Sequence, residues 1–155
     1  EHDGEQPLVA INVETGAKRE MIAGEIAVFS FDVHSSGVIA ARMGRADLPE
    51  EIFISSGGQV RQLTKTNEAL LKDVTLSKPF TATFNSRDGT EVEAFFYPPT
   101  TGRAKKAPTI LRIHGGPTSQ FDFSFDAYAQ LYAANGYAVV MVNPRGSTGY
   151  GTDFA

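Results

Sequence analysis

The stretch from Pro108 to Asn143 most narrows what this chain can fold into. Thr109–Ile113 is a short apolar strand signal. Phe125–Asn135 carries helix signals: Ser124 as N-cap, Phe125, Tyr128, Leu131 and Tyr132 at helical spacing, and Gly136 where a C′ glycine belongs. Tyr137–Val142 is a continuous apolar run, as expected of a strand buried on both faces. Strand, helix and strand in this order read as a βαβ unit with a parallel pair. Loops at the carboxyl ends of such strands line the usual ligand crevice of an α/β sheet.

The first half has a different texture. Leu8–Val13, Ile26–Val33, Val38–Arg42, Glu51–Ser55 and Gln59–Thr64 alternate in polarity and are separated by Glu14-Thr15-Gly16, Ser35-Ser36-Gly37 and Ser56-Gly57-Gly58. Short alternating runs between turn residues predict an all-β meander. Leu8–Ile11 with Thr15-Gly16 and a charged strand resembles Glu51–Ile54 with Gly57-Gly58 and Gln59–Thr64. The interval from Ile11 to Ile54 falls in the ~40–45-residue range of a four-stranded propeller blade; coincidence between two ordinary hairpins is the alternative. The two textures meet near residues 65–79. Beyond them Phe80–Phe84 and Glu91–Tyr97 read as strands joined by the turn Asn85-Ser86-Arg87-Asp88-Gly89, and a Pro-rich basic loop runs from Pro98 to Lys106.

Composition excludes several classes of function. The 155 residues are 41% hydrophobic and 21% charged, which argues against disorder throughout. The net charge of −4 comes without a basic stripe, so no nucleic acid partner is expected. The absence of cysteine excludes disulfides and thiolate chemistry. No apolar run is long enough to span a bilayer, so no membrane partner is expected. The chain reads as soluble, with the choice between cytoplasm and periplasm open. It closes on Thr152-Asp153-Phe154-Ala155 directly after a glycine-rich turn, which leads to the expectation that it stops in mid-domain.

Two loops could carry chemistry. Ile113-His114-Gly115-Gly116-Pro117 follows a strand, and its two glycines let backbone approach a ligand and aim N–H groups at developing negative charge, as an oxyanion hole requires. Loops of this histidine-glycine-glycine type supply an oxyanion donor in α/β-hydrolases. Asn143-Pro144-Arg145-Gly146-Ser147-Thr148-Gly149-Tyr150-Gly151 follows the buried strand, and its spacing fits no phosphate loop. Arg145 could pair with a substrate carboxylate or with an internal acid, the internal pair being the plainer reading.

Other chemistry is missing. No serine sits in a G-x-S-x-G elbow; Ser147 comes nearest, with Arg145 where the first glycine belongs. No histidine follows the βαβ unit, so none can close a triad in the order serine, acid, histidine. His2 and His34 read as surface or turn residues. With no cysteine beside these scattered histidines, no metal site is expected, and no cofactor is implied. Glu50-Glu51, and Glu91 with Glu93, read as solvated strand faces.

Together, Pro108–Pro117, Gln130–Val140 and Asn143–Gly151 resemble the prolyl oligopeptidase family of serine peptidases, in its acylaminoacyl-peptidase and dipeptidyl-peptidase-like branch. Ser86-Arg87-Asp88-Gly89 before a strand ending in Pro98-Pro99 is similar to the hairpin leading into that family's catalytic domain. The resemblance implies a mixed fold: a β-meander forming the last β-propeller blades over residues 1–70, then the N-terminal part of an α/β-hydrolase sheet over 71–155, cut before the nucleophile. It makes the Gly116 N–H an oxyanion-hole donor, with Gly115 shaping the loop and a ring N–H of His114 a second candidate donor. The parent would cleave short peptides through an acyl-enzyme, and this chain alone would be inactive. The remaining partner would be the rest of the hydrolase domain or a second copy of the chain, docked on an open sheet edge at Thr109–Ile113. An esterase or lipase fragment and a non-catalytic β-rich binding module are the alternatives.

Overall fold

The computed structural model describes residues 3–102, 106–116 and 118–155. His2, Pro117 and part of the Pro98–Lys106 loop therefore lie outside the described residues. Leu8–Ile11 (β1) and Lys18–Ile22 (β2) form an antiparallel hairpin. Asn12 Oδ1 shapes its turn by accepting from the Glu14 and Thr15 N–H groups, both at 2.9 Å. Ala27–Val33 (β3), Ile39–Arg45 (β4), Leu48–Ser56 (β5) and Gln59–Gln62 (β6) pair in sequence order as a four-stranded antiparallel meander. Leu8 and Ile22 of the hairpin pack with Ile39, Ala41, Met43 and Phe53, so the hairpin and the meander share a core. A short helix, Glu68–Leu71 (α1), follows.

Glu51 departs from the expected solvated face. It is buried, with Thr64 Oγ1 donating to one carboxylate oxygen and the Asn67 N–H (3.0 Å) and Nδ2 (3.2 Å) donating to the other. Burial pushes its pKa up, but these hydrogen bonds outweigh that and hold it at about 2. The carboxylate thereby fastens the chain leaving β6.

The second half is built on Phe80–Asn85 (β7), Glu91–Tyr97 (β8), Thr109–Arg112 (β9), Ala127–Ala134 (α2) and Ala138–Asn143 (β10). The sheet order is β7-β8-β10-β9, with β10 antiparallel to β8 and parallel to β9. β9, α2 and β10 are the expected βαβ unit. The helix departs from its expected start. Asp126, not Ser124, is the N-cap, its Oδ1 accepting from the Ala129 N–H at 2.8 Å. The Ser124 N–H is already held by Asp122 Oδ1 at 2.8 Å in a local turn that keeps this segment out of the helix. The far end matches the glycine signal: Gly136 has φ +86°, and the Gly136 and Tyr137 N–H groups reach the Ala133 and Tyr132 carbonyls, a Schellman closure.

The helix turns Ala129, Gln130 and Ala133 inward and leaves Tyr128 and Leu131 exposed, because close approach to the sheet needs small side chains. β10 buries Val139, Met141 and Asn143 fully and leaves alternate residues half-buried, in place of the burial on both faces that its apolar run suggested. β9 is the outer strand of the described sheet, with Leu111 and Ile113 beside it exposed.

The two halves interlock. Ala46, in the turn between β4 and β5, packs into the cluster of Phe95, Tyr97, Phe123, Ala129, Val139 and Met141. Gln130 Nε2 donates to the Ala46 (2.9 Å) and Ser77 (3.0 Å) carbonyls, and its Oε1 accepts from the Ser77 N–H (2.7 Å). Residues 3–6 form a strap: the Asp3 N–H reaches the Gly149 carbonyl, the Gly4 carbonyl accepts from Phe123 N–H, and Gln6 Nε2 donates to Asp122. Gly4, at φ +72°, lies so close to Phe95 that a Cβ there would come within 2.5 Å of the ring.

Two outcomes are expected. Gln130→Leu keeps the side-chain size but leaves three buried backbone groups unpaired, so urea denaturation should show a loss of about 2–4 kcal/mol; a loss under about 0.5 kcal/mol would remove this amide as the tie between halves. Glu51 has a folded pKa of about 2 against an ordinary 4.5, so its stabilising contribution is present above pH 4.5 and is lost as pH falls from there towards 2. Glu51→Gln should lower the Tm at neutral pH and flatten the acid limb over that interval in melts followed by circular dichroism.

Candidate active site

Because β9 and β10 are parallel, the loops that leave their carboxyl ends emerge on the same side of the sheet. The first loop, residues 113–126, carries His114-Gly115-Gly116; the second, residues 144–151, carries Arg145 and Ser147. Arg112, the last residue of β9, anchors the first loop. Its guanidinium pairs with Asp126, the N-cap of α2, and lies over the rings of Phe121 (5.6 Å to the centroid) and Tyr128 (5.7 Å). The Phe121 ring in turn meets the His114 ring edge-on, 5.4 Å between centroids.

The two loops are stitched together. Asn143 is fully buried; its Oδ1 accepts from the Phe121 N–H (2.7 Å), and Nδ2 donates to the Phe121 carbonyl (2.8 Å) and to the Tyr150 hydroxyl oxygen (2.7 Å). Tyr150 donates its own hydrogen to Glu93 Oε2 at 2.6 Å. The Thr148 N–H reaches the Ser119 carbonyl at 3.0 Å. Glu93 is therefore not a solvated strand acid: it is buried, and burial, with the nearby Asp3 and Glu5 charges, raises its pKa against the pull of the Tyr150 hydrogen bond. Burial and the Glu93 contact likewise push the Tyr150 phenol up.

His114 Nε2 stands 2.9 Å from Ser147 Oγ, a spacing that a nucleophile and its base would show. The rest of the geometry rules that role out. Ser147 is fully buried, and its hydroxyl donates to the Pro144 carbonyl at 2.6 Å, so its oxygen accepts from the ring. Nδ1 lies 2.8 Å from the Gly115 carbonyl. The ring thus joins the two loops through Ser147 and lies against the carbonyl side of the Gly115–Gly116 peptide. A peptide is planar and trans, so a carbonyl on one side turns the N–H of the next residue to the other.

That next N–H belongs to Gly116. Gly115 and Gly116 are both exposed, neither has positive φ, and a Cβ on either would meet open space. Among the described residues neither N–H has a hydrogen-bond partner. Their lack of side chains therefore serves neither a left-handed turn nor close internal packing; it leaves open backbone. Arg145 pairs with Asp88 in the turn between β7 and β8, the internal pair the sequence allowed. His34 is exposed in a turn, with Nδ1 2.8 Å from Ser36 Oγ. Sequence reasoning did not single out Glu93, Tyr150 or Asn143 as partners. The Asn143 at the end of an apolar strand was the available signal, since a buried amide there needs partners. Among the described residues no cluster of three or more histidine, aspartate or glutamate side chains could hold a metal ion, and no helix is long and apolar enough to cross a membrane.

The sequence model of the Prolyl oligopeptidase family matches residues 123–155, which include α2, β10 and the second loop. Over these residues the chain matches the prolyl oligopeptidase family. The chain is 36% identical over 116 residues to an uncharacterized peptidase of Bacillus subtilis, YuxL, covering 74% of this chain and 18% of the relative. It is 29% identical over 155 residues to dipeptidyl-peptidase 5 of Porphyromonas gingivalis, covering 96% of this chain and 22% of that protein. Its fold matches the acylaminoacyl peptidase of Pyrococcus horikoshii with a TM-score of 0.87 at 32% identity, over 99% of this chain and 24% of that one. The chain thus spans about a fifth of the length of the curated relatives it matches at greatest extent. The match over nearly the whole chain establishes the mixed, strand-rich fold.

A fluorophosphonate probe is expected to leave the 155-residue chain unlabelled, Ser147 included, because that hydroxyl is buried and committed to a carbonyl. Stoichiometric labelling on any serine, read by intact-mass spectrometry, would overturn this reading of the site.

Proposed function

We propose that this chain supplies the oxyanion-hole loop of a serine-type peptidase that cleaves short peptides through an acyl-enzyme. The observation that carries this is the exposed Gly116 N–H, unpartnered among the described residues, on a peptide unit with the His114 ring against its carbonyl side, at the carboxyl ends of two parallel strands. A tetrahedral intermediate needs such a donor, fixed before the charge develops. Gly115 contributes by leaving the approach to that N–H open. With its Nε2–H directed to Ser147 Oγ and Nδ1 turned to the Gly115 carbonyl, His114 joins the two loops in this reading and is not a second donor.

The peptide as substrate is supported by the relatives. An acylaminoacyl peptidase solved in complex with Z-Gly-Gly-Phe-chloromethyl ketone matches 91% of this chain at 34% identity with a TM-score of 0.81, over 22% of that protein. In this proposal the nucleophile, the triad acid and the general base lie outside residues 1–155, and the chain alone is inactive. Residues 1–70 form the end of a β-propeller, with β3 to β6 as one blade, and residues 71–155 form the first part of the hydrolase domain. The remainder of that domain, or a second copy of this chain, pairs along β9. Arg145 reaches a substrate carboxylate only if its exposed pair with Asp88 opens.

The decisive substitution is Gly116→Pro in the full-length protein. It deletes the N–H, and Gly116 does not hold the positive φ that would exclude proline outright. With the fold intact by circular dichroism, kcat on peptide substrates should fall about 10²–10³-fold with a much smaller change in KM. An intact variant with unaltered kcat would remove Gly116 from the mechanism.

A further inference from the structure

We infer that Asn143 is a positioning residue for the glycine loop, acting through the backbone of Phe121. The inference takes its functional meaning from the oxyanion-loop reading above, but its geometry stands apart from it. Asn143 ends β10, where the ladder to β9 has already stopped at Met141. Its carboxamide then does what a neighbouring strand's peptide would do: it accepts from the Phe121 N–H and donates to the Phe121 carbonyl, at 2.7 and 2.8 Å. A stretch of loop is thereby paired as if it were sheet.

The orientation of the amide is fixed by its partners. An N–H can meet only Oδ1, and a carbonyl can meet only Nδ2. The second Nδ2 hydrogen goes to the Tyr150 oxygen, which accepts because the Tyr150 hydrogen is spent on Glu93. Both amide hydrogens are used, in a group with no exposed surface. An asparagine buried to this degree with every hydrogen placed is costly to replace, since each freed partner stays buried and unpaired.

Phe121 passes the constraint on. Its ring packs against His114, and the His114 ring lies against the Gly115 carbonyl, Nδ1 2.8 Å from the oxygen, on one side of the planar Gly115–Gly116 peptide. The path runs from Asn143 to the Phe121 backbone, to the His114 ring, to the direction of the Gly116 N–H. Ser147 and Thr148 fasten the same two loops at neighbouring points, and Asn143 ties the loop to the end of the core strand β10.

The test is Asn143→Leu, close in size, which leaves the Phe121 N–H and carbonyl both without their partner. In the 155-residue chain, NMR should show Phe121 amide exchange at least about tenfold faster and a displaced Gly116 amide resonance, with the Val139 amide in β10 unchanged. In the full-length protein, kcat should fall about 10- to 100-fold with KM within about threefold, the signature of a displaced group. A Phe121 amide as protected as before, or a Gly116 resonance that stays in place while Phe121 is freed, overturns the inference. Should the variant not fold, the unaltered chain decides: both Asn143 Nδ2 hydrogens must exchange about 100-fold more slowly than those of a solvated side-chain amide, and exchange at the solvated rate overturns it. If Gly116→Pro leaves kcat unaltered, the oxyanion reading fails while these amide signals still decide the role of Asn143.

Discussion

Strand β10 is the constraint on which the second half of the structure rests. It pairs antiparallel with β8 on one side and parallel with β9 on the other, so every other element there is placed by its register. Its inward side chains, Val139 and Met141, form the floor on which α2 lies, and the third residue of that face, Asn143, is polar. An apolar core strand that ends in a buried amide must satisfy that amide locally, and here the backbone that does so is the loop that returns from β9. Burial of one polar group at the edge of a core is thus enough to bring two loops into one surface.

The join between the halves rests on the same device. Gln130 lies on the face of α2 that is otherwise alanine, and its amide meets three backbone groups from the turn after β4 and from the segment before β7. Such a contact is specific where an apolar one would not be, since an amide has a fixed order of donor and acceptor. Apolar packing of Ala46 beneath Phe95 and Phe123 supplies the area, and Gln130 supplies the register.

Much of this was legible in the sequence because periodicity and turn residues are local. The strands, the βαβ order and the Gly136 stop follow from neighbours a few residues apart. The glycine loop was legible as a motif. What could not be read is the fate of polar groups whose partners are remote. Glu93 looks like any strand acid until Tyr150, 57 residues away, is placed beside it. Glu51 is buried because Thr64 and Asn67 fold back on it. The N-cap was misplaced for a related reason: Ser124 and Asp126 are both good caps by type, and only the turn made by Asp122 decides between them. The tie from Asn143 to Phe121 joins backbone to side chain and leaves no pattern in composition.

The strap at residues 3–6 has a kinetic consequence. Gln6 meets Asp122 across 116 residues of chain, and Asp3 and Gly4 meet Gly149 and Phe123 across comparable distances. Contacts of such long sequence separation carry a large loop-closure entropy and form after local hairpins and helices are in place. The hairpin β1–β2, the meander and the βαβ unit can each be assembled from short-range contacts, whereas the strap across both loops closes only when residues 3–6 meet Asp122, Phe123 and Gly149. A partly folded molecule could therefore hold nearly all its secondary structure with the strap still open, so the contacts of residues 3–6 report on the last stage of folding, not the first.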